Sequence, residues 1–78
     1  VKGACVTFGK RLRSARMKSN LTQQKMADAI DMSLRNYQSY EQGVRRPTFE
    51  TLVKIADTLD VSIDYLLGRT GEAPSGEH

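Results

Sequence analysis

The chain has one cysteine, Cys5, so no internal disulfide can form and a four-ligand zinc site lacks its donors. It has no tryptophan, and its one histidine, His78, lies in a polar tail. No Gly-rich phosphate loop is present, and Asp57, Asp60 and Asp64 sit at helix ends rather than as a catalytic pair. These shortages argue against an enzyme, a metal centre or a bound cofactor. No stretch approaches the roughly 18 apolar residues of a membrane span. The first ten residues, VKGACVTFGK, lack the apolar run of a secretory signal. Internal repeats, low-complexity tracts and strand-like alternation are absent too. A reducing cytoplasm is the expected compartment, with no membrane partner.

What remains is 78 residues, enough for one domain with one small core, since such a chain buries about 60% of its unfolded surface. A hydrophobic fraction of 38% and a mean hydropathy of −0.51 give that core modest material. The net charge of +3 conceals a polarity. Residues 1–47 hold ten Lys/Arg against three Asp/Glu, and residues 48–78 hold two against six. One end of the domain therefore carries a positive field, which suits a polyanion but also suits an unevenly charged solvated surface.

Polar punctuation divides the chain into five short helices. Phe8, Leu12 and Ala15 recur at i, i+4 and i+7 from an N-cap at Thr7, with basic residues around them, and Ser19-Asn20 stop the helix. Thr22 caps a second helix over 23–30, whose apolar face is Met26, Ala27 and Ile30. Ser33 caps a third, buried through Tyr37 and Tyr40 and ended by Gly43. Thr48 caps a fourth, with a stripe of Phe49, Leu52, Ile55, Ala56 and Leu59. Ser62 caps a fifth, Ile63 to Leu67, stopped by Gly68. The expected organisation is a flexible segment over 1–6, a compact all-α domain over 7–68, and a disordered polar tail over 69–78.

Two helices of about eight residues joined by a tight turn, inside a basic half, suggest a helix-turn-helix. At about 100° per residue, Tyr37 and Tyr40 turn Arg35, Gln38, Ser39 and Gln42 outward, with Leu34 on the flank. Glu41 falls on the flank of the buried side. That outer face carries donors, acceptors and one positive charge, and no carboxylate. It fits a DNA major groove, where Arg reads guanine and Gln or Asn reads adenine, and it equally fits an ordinary solvated face.

The run Leu21-Thr22-Gln23-Gln24, Met26-Ala27, Ile30, Ser33, Tyr37, Tyr40-Glu41-Gln42-Gly43, Pro47, Leu52, Ile55-Ala56, Leu59 and Val61-Ser62-Ile63-Asp64-Tyr65-Leu66-Leu67-Gly68 resembles the Xre family. These are the lambda-repressor-like (Cro/CI-type) helix-turn-helix regulators. The likeness spans residues 7–68, and "YQSYEQG" and "DYLLGRT" are similar to regulators of Gram-positive bacteria and their prophages.

The resemblance implies a five-helix lambda-repressor-like fold and a sequence-specific DNA-binding regulator, most simply a repressor. It implies base reading by Ser33, Leu34, Arg35, Asn36 and Ser39, of which Leu34, Arg35 and Ser39 match the flank and outer face above. Thr22 and Gln23 at the start of helix 2, with Gln42, Arg45 and Arg46 beyond helix 3, would hold phosphates. Arg16 and Glu41 fall where the family places an internal ion pair, and Val61, Ile63 and Tyr65 where it dimerises. The expected partner is double-stranded DNA, bound as a homodimer on a palindromic operator. Larger relatives add a C-terminal dimerisation or sensor domain, which is not expected here. One position departs from the family pattern: the turn between helices 2 and 3 has Asp31 instead of glycine. The alternative is a protein-interaction module on the same fold, antitoxin-like or an anti-repressor, with residues 69–78 as its partner-binding tail.

Overall fold

The computed structural model describes residues 2–68 of the chain, so the expected tail over 69–78, His78 included, lies outside the described residues. All regular structure within the described residues is helical: α1 Lys2–Lys18, α2 Gln23–Ala29, α3 Leu34–Glu41, α4 Phe49–Leu59 and α5 Ile63–Leu67. Four of the helices open as the sequence predicts. The hydroxyls of Thr22, Ser33, Thr48 and Ser62 accept the backbone N–H three residues on, at 3.0–3.2 Å, satisfying a donor that has no partner within the helix.

The first four helices also end alike, each through one left-handed residue. After α1 this is Asn20 (φ 60°), after α2 Asp31 (φ 60°), after α3 Gly43 (φ 78°) and after α4 Asp60 (φ 57°). In each case the next N–H reaches back to the last turn: Leu21 to Arg16, Met32 to Ala27, Val44 to Ser39 and Val61 to Ala56. This paired closure satisfies carbonyls that the helix itself leaves without partners. Glycine is the easiest residue there, and Asn and Asp tolerate the conformation better than other side chains, which is how Asp31 serves in the turn.

The core gathers the predicted apolar faces: Phe8, Leu12 and Ala15 from α1, Met26, Ala27 and Ile30 from the second segment, and Tyr37 and Tyr40 from α3. Leu52, Ile55, Ala56 and Leu59 of α4 join Tyr65 and Leu66 of α5. The two tyrosine rings meet edge-on, with centroids 6.5 Å apart. At Gly9, a side-chain carbon would stand 2.5 Å from the Glu41 carbonyl oxygen and 2.9 Å from that of Tyr40. The absence of that carbon is what lets α1 lie directly against the end of α3.

Three local expectations are corrected. The backbone is helical from Lys2, so Thr7 is interior to α1 and not its cap, and the segment over 2–6 continues the helix. No proline stands within Lys2–Lys18 to stop it. Phe49 does not join the core stripe: as the first residue of α4 it projects past the core's edge and is 74% exposed. Tyr65 is not on the surface. It is buried beneath the Arg11 guanidinium, 5.1 Å from the ring centroid, because α5 lays that side on α1.

Candidate nucleic-acid interface

The geometry of α2 and α3 is set by one carboxylate. Glu41, the last residue of α3, accepts from Arg16 of α1 through Nε at 2.6 Å and Nη2 at 3.3 Å. It also accepts from Gln23 Nε2 of α2 at 2.9 Å and from the Tyr37 hydroxyl of its own helix. The remaining edge of the Arg16 guanidinium, Nη1, donates to the Leu21 carbonyl at 2.7 Å and closes the α1–α2 turn. The two charged side chains are only 11% and 4% exposed. The expected ion pair is therefore the centre of a network that ties three helices together.

Its electrostatics follow from that arrangement. Burial pushes the Glu41 carboxyl up, but the hydrogen bonds from Arg16, Tyr37 and Gln23 outweigh it and hold the group below the ordinary carboxylate range. Burial, with the Glu41 carboxylate beside it, drives the Tyr37 phenol well above its usual value. The hydrogen bond to Glu41 stabilises the charged form of Arg16 further. No buried side-chain polar atom among the described residues lacks a hydrogen-bond partner.

Gln23 extends the network outward. Its Oε1 accepts from Gln38 Nε2 at 3.0 Å, so the first residue of α2 is anchored on one side to Glu41 and on the other to the middle of α3. Gln38 belongs to the outer face by its position in the helix, but its carboxamide is turned along the α2–α3 seam. Helical periodicity alone carries no signal for that contact.

The expected base-reading residues lie together on α3. Arg35 and Asn36 are exposed, Leu34 and Ser39 half-buried, and Ser33 is the exposed cap. The Ser39 hydroxyl donates to the Asn36 carbonyl at 2.6 Å. The Ser39 carbonyl in turn accepts the N–H groups of Val44 and Arg45, at 3.0 and 3.3 Å. These two hydrogen bonds pin the basic loop to the end of α3, and Arg45 Nη1 reaches Asn36 Oδ1 at 3.5 Å. Arg45 and Arg46 are both exposed there.

The other expected phosphate residues fall into a separate cleft. Thr22, Gln23 and Gln42 line it with Arg13, Arg16 and Glu41. Arg13 was not singled out by the sequence. Its only signal was membership of the basic run on α1, one helical turn before Arg16. Of the residues expected at a dimer surface, Val61 and Ile63 are half-buried at the core's edge, and Tyr65 is inside it.

A compact five-helix domain whose second and third helices are locked through an Arg–Glu–Gln network is a helix-turn-helix domain of the lambda-repressor-like class. Residues 12–66 match the model of the helix-turn-helix family, and the chain belongs to that family, the Xre or lambda-repressor-like regulators. It is 54% identical over 59 residues to the cryptic phage CTXphi transcriptional repressor RstR of Vibrio cholerae, covering 76% of this chain and 53% of RstR. It is 39% identical over 64 residues to the transcriptional regulator ImmR of Bacillus subtilis, covering 82% and 50%. The chain thus spans about half the length of the curated relatives it matches. Among solved structures it superposes on the restriction-modification controller protein C.AhdI of Aeromonas hydrophila, with a TM-score of 0.76 and 28% identity. That match covers 82% of this chain and 97% of the controller. The family is one of transcriptional regulators and not of enzymes.

Proposed function

We propose that this chain is the DNA-reading domain of a transcriptional repressor, acting in the cytoplasm as a homodimer on a palindromic operator. What supports it is the outward side of α3. The helix's one carboxylate, Glu41, is turned inward, while Arg35 and Asn36 face solvent beside a basic loop anchored to the same helix. A helix of that kind enters a major groove, where Arg35 pairs with guanine and Leu34 packs on a thymine methyl. Ser33, Asn36 and Ser39 supply further hydrogen bonds to base edges. Gln42, Arg45 and Arg46 hold phosphates and so fix register. Thr22 and Gln23 join them: the Thr22 hydroxyl still has its proton to donate, and the Gln23 amide has a second N–H beyond the one given to Glu41.

Repression is favoured by the likeness to RstR, itself a phage transcriptional repressor. Val61 and Ile63, apolar and partly exposed, form the dimer contact, with Tyr65 buttressing them from within. Among the described residues no helix is long and apolar enough to cross a membrane. Selection of bound duplexes from a randomised DNA library, at about physiological salt, tests the proposal. The expected product is a two-fold symmetric motif with half-sites about ten base pairs apart. Recovery of unenriched duplexes would remove sequence reading, and recovery of none would remove DNA binding altogether.

A further inference from the structure

We propose that Arg13 is a DNA phosphate contact and supplies the positive charge of the cleft shared by Thr22, Gln23 and Gln42. The inference rests on the DNA-binding reading above and assigns the charge within it. The cleft holds two arginines and one carboxylate. Arg16 cannot serve as the anion's partner. Its Nε and Nη2 are on Glu41, its Nη1 is on the Leu21 carbonyl, and its side chain is 11% exposed. Drawing it toward a phosphate would strip Glu41 of its counter-charge inside the fold. Arg16 and Glu41 therefore cancel within the cleft.

Arg13 stands three residues earlier on α1, so its side chain emerges on the same side of the helix. It is exposed, and it makes no hydrogen bond or ion pair to another described residue. Its guanidinium keeps five N–H donors in the planar fork that suits phosphate oxygens. The surface of α1 on its other side is lined by Lys10, Ser14, Met17 and Lys18, with no acidic residue among them. The positive field thus runs from α1 into the cleft, toward the starts and ends of the two helices of the motif.

The salt dependence of binding to a fluorescently labelled mixed-sequence duplex, between about 50 and 200 mM salt, tests this assignment. Arg13→Gln is expected to make the slope of log K against log salt shallower by about 0.9, the share of one phosphate. Arg13→Lys is expected to keep the wild-type slope. So is Lys54→Gln, which removes an equal charge from the exposed side of α4. Equal thermal midpoints for wild type and Arg13→Gln check that the fold is intact. An unchanged slope for Arg13→Gln, or one matched by Lys54→Gln, overturns the inference and leaves the DNA reading standing. A wild-type chain whose binding shows no salt dependence overturns both.

Discussion

Glu41→Gln is the sharpest test of how this domain holds its reading helix. The carboxylate receives four hydrogen bonds from three helices, two of them from a guanidinium that is nearly buried. A glutamine keeps one acceptor oxygen and turns an NH2 group toward donors, so Arg16 loses its counter-charge and at least one donor faces another. Breaking a buried pair from one side costs about 3–5 kcal/mol, and the small residual exposure of Arg16 favours the lower end, about 3 kcal/mol at pH 7. A domain of this size has about 3–10 kcal/mol in total, and each kcal/mol moves its melting point by about 4–8 °C. Urea unfolding of both proteins reads the difference as a shift in midpoint at unchanged slope. The pH dependence carries a second signature. The Glu41 carboxyl is held below its ordinary value of 4.5, so its stabilisation is complete above that value and is lost as pH falls through the lower folded one. The gap between wild type and Glu41→Gln should therefore close in acid. A difference below about 1 kcal/mol at pH 7, the size of a surface pair, or a gap that does not change with pH, would refute the reasoning.

Gly9→Ala should destabilise by about 1–3 kcal/mol in thermal or urea melts, because the new methyl meets the Glu41 and Tyr40 carbonyls at 2.5 and 2.9 Å. Helix propensity alone predicts the opposite sign, a gain of about 1 kcal/mol, so the direction of the shift decides. Asp31→Gly should stabilise by about 0.5–1 kcal/mol by relieving the left-handed backbone in the α2–α3 turn, provided that φ stays positive; a loss in the same melt would argue against this strain. Arg35→Ala should cost about 1–3 kcal/mol in duplex binding and relax preference at one base position, whereas Arg45→Ala should weaken all duplexes alike. Library selection on both variants tests that division.

Much of this was legible in the chain because helix signals are local. The four hydroxyl caps, the breaks at Asn20, Asp31, Gly43 and Asp60, and the apolar faces each depend on residues within a turn or two of one another. Thr7 was misjudged locally, since the helix runs on from Lys2 with no proline before it, but other positions depend on how the helices pack. Phe49 matches the period of its stripe, but period gives direction and not depth, and the first residue of α4 lies past the core's edge. Tyr65 and Ile63 are indistinguishable in sequence as dimer candidates until α5 is docked on α1 and the tyrosine slides under Arg11. Gly9 looks like a weak point in a helix, and only the crossing with α3 gives it a purpose.

Two of the three arginines of α1 show why such distinctions matter for function. Arg13 and Arg16 are alike in chemistry and one turn apart, yet one guanidinium faces solvent and the other is enclosed by Glu41 and the Leu21 carbonyl. The same Glu41 that neutralises Arg16 holds Gln23, and Gln23 holds Gln38 in the middle of the reading helix. Stability and orientation therefore draw on one network. Weakening Glu41 should loosen the angle of α3 before it unfolds the domain, since the helix then keeps its tyrosines in the core while its ties to α1 and α2 through Glu41 weaken and only the Gln38–Gln23 hydrogen bond is left to hold its side chains to α2. On that reasoning Glu41→Gln blurs base preference even under conditions where the variant is still folded, while Arg13→Gln leaves preference intact and changes only affinity.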